Sequence, residues 1–230
     1  MSFGLVEQTK PVTGFDKWKE GIRNAPNDPR WSAYDCEIRT AVGELNRHLN
    51  AVAGYKPLEW QVVKTMAWVE SGAANPAWKT KPLQIGVPLD PGLDALWYGK
   101  EGGELILPPQ LKSSLTKSAV RTTPALNIRA AIGYLLMRAA EFDFRTVPDA
   151  DTSIYKVTVK GGDTLGKIAK ERGTTVEILK KSNKGAAALK PGQVLEYQKA
   201  SIRKVITGWR AITMQMIARR YNGGGDVHYA

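Results

Sequence analysis

Apolar residues recur at helical spacing through most of the chain. Clear stripes predict helices over residues 37–52 and 58–70, and weaker signals predict helix at 15–23 and 91–97. A further helix is expected to begin at Asn127, a residue type that caps helix N-termini, and to bury an apolar face as far as residue 139. The first part of the chain is therefore expected to be helical.

The pattern changes in the last third of the chain. Short runs of β-branched and apolar residues predict strands at 154–159 and 194–197, with short helices at 164–171 and 175–182 between them. This order is a βααβ unit. Beyond it, the apolar residues of 202–217 return to helical spacing and predict one final helix.

The pattern as a whole predicts a mainly α fold with a small inserted βααβ module. The helical domain is expected to comprise residues 37–150 and 200–230, preceded by an N-terminal extension of residues 1–36. The module is expected at 153–199. Chain ends usually lie close together in a small domain, so an insertion of this kind is sterically reasonable.

The net charge of the chain indicates the class of partner that it binds. The 230 residues include 33 Lys and Arg against 22 Asp and Glu, a formal net charge of +11. Such a charge favours a polyanionic partner, and nucleic acid, anionic lipid and cell wall all fit it. The basic residues are not interleaved with a set of stacking aromatic residues, so we do not expect nucleic acid to be the partner.

Other chemistry-bearing features are sparse. The single cysteine, Cys36, excludes an internal disulfide, and together with His48 and His228 it is too little for a thiolate zinc site. No metal or cofactor is expected, and no apolar run is long enough to predict a membrane span. The first residues lack the basic and apolar regions of a secretory signal. We therefore expect synthesis in the cytoplasm and action elsewhere after release or secretion.

The inserted module carries a specific motif. The strings Tyr155-Lys156-Val157 and Gly162-Asp163-Thr164-Leu165 are followed by residues 175–179, Asn183 and Leu189-Lys190-Pro191-Gly192. This pattern resembles a LysM domain over nearly the whole module, with Gly166 where Ser is common. The resemblance implies binding of N-acetylglucosamine-containing glycans such as peptidoglycan. A shallow glycan-binding groove is expected between the turn Gly162-Asp163-Thr164-Leu165 and the loop after Asn183, although a purely structural role explains the residues of this turn equally well.

A carboxylate in the helical part stands out by its position. Glu70 falls on the apolar face of the predicted helix 58–70, at its C-terminal end. Burial raises the pKa of a carboxyl, and the negative end of the helix dipole acts in the same direction. Glu70 is therefore a candidate general acid, although a structural Glu with a buried partner explains the same placement.

Four short motifs in a fixed order give the helical part its own resemblance. They are Glu70-Ser71-Gly72, Leu83-Gln84-Ile85-Gly86, a segment from Asn127-Ile128 to Tyr134-Leu135, and Tyr221-Asn222-Gly223. Together they resemble the soluble lytic transglycosylase and goose-type lysozyme superfamily. The resemblance implies a lysozyme-like α-helical catalytic domain that degrades peptidoglycan.

The resemblance also implies a role for each matching residue. Glu70 matches the catalytic acid and base, and Ser71 matches the residue that orients it. Gln84 matches a glutamine that contacts substrate. The remaining matches are residues that line the cleft: Tyr134, Tyr221 and Asn222. The sequence departs from the family pattern at Lys81-Pro82, Arg219-Arg220 and the inserted module.

Three functions remain open at this point. A single essential Glu fits a lytic transglycosylase, which cleaves the bond between N-acetylmuramic acid and N-acetylglucosamine without water. A hydrolase of goose-lysozyme type needs a second carboxylate, for which Asp90, Asp94 and Asp226 are the candidates. A wall-binding component with a degenerate catalytic domain is the third. An exported antibacterial effector or a phage lysin would fit the first two, and an effector implies an immunity protein as partner.

Overall fold

The computed structural model of the protein describes residues 12–186 and 188–223. The chain divides into two compact units. The first comprises Met1–Ala140 and Trp209–Ala230, and the second is Glu141–Gly208. The second unit is longer at both ends than the predicted module, since it includes most of a pair of strands that leads out of the first unit and back into it.

Helices dominate the described residues. In chain order they are α1 (Gly14–Asn24), α2 (Asp35–Leu49), α3 (Trp60–Glu70), α4 (Gly92–Trp97), α5 (Gly103–Ile106), α6 (Pro109–Lys112), α7 (Lys117–Thr122), α8 (Pro124–Ala139), α9 (Leu165–Arg172), α10 (Val176–Ser182) and α11 (Met214–Arg220). Short 3-10 turns lie at Ala25–Asn27, Pro29–Ser32, Pro76–Lys79 and Lys100–Gly102. The strands are β1 (Ala140–Pro148), β2 (Tyr155–Thr158), β3 (Val194–Tyr197) and β4 (Ala200–Trp209).

Helix α8 forms the centre of the first unit. It packs against α2, α4, α5 and α7, and Ile128, Ile132 and Leu135 on it are fully buried. Gly133 permits this close packing, because a Cβ there would meet side-chain atoms of Leu96 at 3.2 Å. The helical stripes of the sequence thus become one apolar core.

None of the described helices combines the length and the apolar character that a membrane span requires.

The expected role of Asn127 as a helix cap is wrong. Helix α8 begins three residues earlier, at Pro124, and Asn127 lies inside the helix with no exposed surface. Its side-chain oxygen accepts the N–H of Leu83 at 2.9 Å, and its amide donates to the carbonyls of Ile85 and Val120 at 3.1 Å each. A residue type suited to caps is used here to hold a loop from within the core.

The single helix predicted over 202–217 is also wrong. The structure has strand β4, which pairs with β1 in a two-stranded sheet, and then the short helix α11. Val205, Ile206 and Thr207 are β-branched residues that favour strands, and β1 supplies the partner strand. Helix α11 begins only after Thr213, whose hydroxyl accepts the N–H of Met216.

The second unit contains the βααβ order that the sequence predicts. Strands β2 and β3 pair antiparallel, with Tyr155 opposite Tyr197 and Val157 opposite Leu195. The hydroxyls of Thr164 and Thr175 cap α9 and α10, each accepting a backbone N–H at 3.2 Å. The small buried core consists of Val157, Val159, Ile168, Ala169, Leu179, Ala186, Leu195 and Tyr197.

Removal of the Asn127 side chain should strongly destabilise the first unit. Asn127→Ala leaves one backbone N–H and two carbonyls without partners in the core, and we expect the free energy of unfolding to fall by about 3 kcal/mol. Chemical denaturation followed by tryptophan fluorescence measures this. The control Asn24→Ala, at an exposed residue, should change stability by less than about 0.5 kcal/mol. Equal effects of the two variants would contradict the bracing role.

The second unit should lose stability in acid through Asp163. The backbone N–H of Lys160 and then the ammonium of Lys167 hold the pKa of the Asp163 carboxyl below its usual range. Its contribution to stability is therefore present above the unfolded pKa of about 4 and is lost as the pH falls through the lower, folded pKa.

Asp163→Asn should consequently lower the melting temperature at pH 7, and the difference from wild type should shrink at a pH of about 3. Thermal unfolding of the full chain, followed by circular dichroism at the two pH values, tests this. Glu177→Gln, at an exposed carboxyl on α10, is the matched control and should show little difference at either pH. A pH-independent gap for Asp163→Asn would count against the assignment.

Candidate functional site

Five of the predicted site residues line one cavity in the first unit. The cavity has a volume of about 270 Å³. Its lining consists of Glu70, Leu83, Gln84, Ile85, Val87, Asp90, Tyr134, Tyr221 and Asn222. These residues come from the end of α3, the loop before α4, the middle of α8 and the residues that follow α11. The fold therefore brings together four motifs that are far apart in the sequence.

Glu70 is the last residue of α3 and is half-buried. Its backbone carbonyl accepts a hydrogen bond from the side-chain amide of Gln84. The end of a helix leaves carbonyls without partners inside the helix, and Gln84 satisfies one of them. The Gln84 side chain is thus fixed against the segment that carries the Glu70 carboxyl.

Ser71 ties the end of α3 to the loop before α4. Its hydroxyl donates to the carbonyl of Pro82 at 2.8 Å. The next residue, Gly72, has a φ of +69°, and a Cβ there would meet the ring of Trp31 at 2.7 Å. This glycine is required both for the left-handed backbone and for the close approach of the indole. Ser71 and Gly72 together set the direction in which the chain leaves Glu70.

Gln84 has an unusual backbone conformation. Its φ of +52° lies in the left-handed region, which few residues other than Gly adopt. Such a conformation persists only where surrounding contacts hold it. Asn127 holds the turn from inside the core, and the Tyr221 hydroxyl donates to the carbonyl of Leu83 at 3.1 Å. The guanidinium of Arg121 donates to the carbonyl of Gly86.

Two tyrosines form one wall of the cavity. The rings of Tyr134 and Tyr221 have centroids 5.5 Å apart, at an interplanar angle of 57°. Burial raises the pKa of the Tyr134 phenol, so this phenol is neutral at physiological pH. Asn222 follows Tyr221 directly and lies in the same lining. The wall therefore offers aromatic surface and neutral polar groups.

Asp90 is a second carboxylate in the cavity lining. One of its oxygens accepts the N–H of Gly86 at 2.7 Å, and the other accepts the N–H of Gly92 at 2.8 Å. Of the two other candidates, Asp94 forms a salt bridge with Lys117 at 2.8 Å, and Asp226 lies outside the described residues. Asp90 differs from the two other candidates in lying in the lining of the same cavity as Glu70.

The predicted groove residues of the second unit are tied into its own fold. Gly162 has a φ of +80°, which the tight turn before α9 requires. Asp163 accepts the N–H of Lys160 at 2.8 Å, and Thr164 caps α9. Leu165 packs against the small core. These residues shape the turn before α9.

Asn183 is also held by the fold. Its oxygen accepts the N–H of Glu196 at 2.9 Å, and its amide donates to the carbonyls of Leu179 and Glu196 at 2.9 and 2.7 Å. The side chain thereby joins the end of α10 to β3.

Within the described residues there is no group of three or more His, Cys, Asp or Glu side chains placed to hold a metal ion.

Residues 157–196 match the family model for the LysM domain. No curated protein and no solved structure matches the chain. The match covers β2, α9, α10 and β3, the elements that surround the small apolar core. The second unit of this chain therefore contains a LysM domain, a module that binds peptidoglycan and related cell-wall glycans.

Proposed function

We propose that the first unit cleaves the glycan strands of peptidoglycan, with Glu70 as general acid and base, while the LysM domain keeps the enzyme on its substrate. The convergence of Glu70, Gln84, Tyr134, Tyr221 and Asn222 on one cavity carries this proposal. The motifs that resemble the lytic transglycosylase and goose-type lysozyme superfamily are the ones that meet there. A LysM domain in the same chain supplies the matching substrate.

The proposed reaction needs one carboxyl group. Protonated Glu70 donates its proton to the oxygen between N-acetylmuramic acid and N-acetylglucosamine, and the bond from that oxygen to C1 of the muramyl sugar breaks. The acetamido group of the same sugar stabilises the electron-poor C1. The Glu70 carboxylate then removes the proton from the C6 hydroxyl, whose oxygen bonds to C1. The products are a free 4-hydroxyl and a 1,6-anhydro sugar, and no water is consumed.

The neighbours of Glu70 have supporting roles in this scheme. Gln84 and Asn222 offer amide groups to the hydroxyl and acetamido groups of a sugar. The ring of Tyr134 offers aromatic surface to a sugar in the same lining. The fixed turn at Gln84 limits motion of the loop, so these groups are in place before the substrate binds.

A hydrolase is the second candidate, and Asp90 is the observation that favours it. Asp90 lines the same cavity as Glu70, where it would activate a water molecule on the other face of the sugar. Both of its oxygens, however, already accept backbone N–H groups of the loop. These bonds suit a role in shaping the loop, so the single-carboxyl route is our first choice.

The biological setting belongs to the same proposal. A wall-cleaving protein of this kind fits an exported antibacterial effector or a phage lysin. For an effector, an immunity protein would bind over the Glu70 cavity and exclude the glycan. The third function, a wall-binding component without catalysis, requires only the LysM domain and no chemistry at Glu70.

Glu70→Gln should abolish the release of soluble products from purified peptidoglycan sacculi. The variant keeps the shape of the side chain and cannot donate the proton, so we expect the rate to fall by at least about a hundredfold. Mass spectrometry of the released material provides the measurement. Binding of the variant to sacculi should be unchanged, because the LysM domain is intact. Glu20→Gln, at an exposed carboxyl on α1, is the control and should stay active.

The masses of the wild-type products separate the three functions. Anhydromuropeptides support the proposed reaction. Reducing muropeptides, heavier by one water, would replace it with hydrolysis and assign the second carboxylate to Asp90. An absence of products from wild-type protein that still binds sacculi would leave a binding protein and reject catalysis.

Salt should weaken the binding of the protein to sacculi. From Ile154 to Lys199 the chain has ten Lys and Arg against four Asp and Glu, so the LysM region contributes about half of the net positive charge. Attraction between exposed charges is screened by salt, and we expect binding of Glu70→Gln to fall as NaCl is raised to about 0.5 M. Pull-down with sacculi across a salt series measures this. Affinity that stays constant across the series would exclude a role for the charge.

A further inference from the structure

A second cavity lies in the first unit, away from Glu70. It has a volume of about 370 Å³, larger than the cavity at Glu70. Its walls are residues 54–59, which precede α3, and residues 209–212, which begin with the last residue of β4. Val62 in the first turn of α3 completes the walls. Glu70 is at the other end of α3. Because an α-helix rises about 1.5 Å per residue, the length of α3 places the two cavities about 15 Å apart.

Two aromatic side chains form one wall of this second cavity. The rings of Tyr55 and Trp209 have centroids 4.8 Å apart. The Tyr55 hydroxyl donates to Asn46 at 2.6 Å, and burial raises the pKa of Tyr55 to about 12. The Nε1–H of Trp209 is buried and has no acceptor among the described residues. Buried donors are almost always paired, so this unpaired donor in the cavity wall is available to a ligand once the ring turns.

Charged and apolar groups complete the lining. Lys56 and Glu59 are exposed and of opposite sign, and the Arg210 side chain adds a second cation. Pro57 and Ile212 contribute apolar surface. A neutral sugar has no charge to pair with these side chains, whereas a short peptide has charged ends, apolar side chains and carbonyl acceptors.

We propose that this second cavity binds a short peptide that carries both a free carboxylate and an amine. Lys56 pairs with the carboxylate, Glu59 pairs with the ammonium group, and the Trp209 indole donates to a peptide carbonyl after a small turn of the ring. The further step, that the occupant is the stem peptide of peptidoglycan, rests on the proposed function. Binding there places a stem about 15 Å from the cleavage point and favours strands that still carry peptides.

The test follows the Trp209 indole by nuclear magnetic resonance in ¹⁵N-labelled Glu70→Gln protein, which binds without cleavage. Trp209→Phe identifies the resonance by its loss. Stem peptide released from sacculi by an amidase is the probe, and we expect it to shift the Trp209 resonance. Lys56→Ala and Glu59→Ala should each weaken the affinity about fivefold. Lys112→Ala and Glu20→Ala, at exposed charges on α6 and α1, are the matched controls and should not change it.

Three outcomes would overturn the assignment. The first is a Trp209 resonance that does not move at peptide concentrations in the millimolar range. The second is an equal shift with the peptide-free disaccharide, which would make the cavity a glycan site. The third is binding that is insensitive to Lys56 and Glu59. A protein that binds the peptide but releases no glycan products would support this cavity assignment while rejecting the proposed function, so the two failures are distinguishable.

Discussion

The buried side chain of Asn127 is the interaction on which the candidate site depends. It lies in the core helix α8 and bonds to the backbone of Leu83 and Ile85, on either side of Gln84. The left-handed backbone at Gln84 is unfavourable by itself, so it requires such anchors. Tyr221 and Arg121 add bonds to the same turn. The core helix α8 thereby fixes the loop that carries Gln84.

The LysM domain, a glycan-binding module, is inserted in the sequence of the first, helical unit. The chain leaves the first unit at the end of α8, forms the LysM domain and returns through β4. The paired strands β1 and β4 let both connections run side by side. The core of each unit is built from its own residues, so an insertion of this size does not interrupt the packing around α8.

Several polar side chains of the two candidate sites hold the fold through hydrogen bonds. Asn183 and Asp163 use their polar atoms for hydrogen bonds within the LysM fold. Asp90 and Ser71 likewise hold the loop around the Glu70 cavity. By contrast, the Trp209 indole in the second cavity has a donor that the described fold does not use.

The sequence by itself determined the elements whose signals are local. The apolar stripes of α2 and α3 and the threonine caps of α9 and α10 depend on neighbours within a few residues, so they were predictable, and with them the LysM domain. Tertiary structure decided the rest. Asn127 has the local pattern of a cap and became a core brace, and the segment 202–209 has helical spacing and became a strand, because partners distant in sequence supplied better hydrogen bonds. The place of Asp90 in the cavity lining was also decided by tertiary structure, because only folding brings its loop beside Glu70.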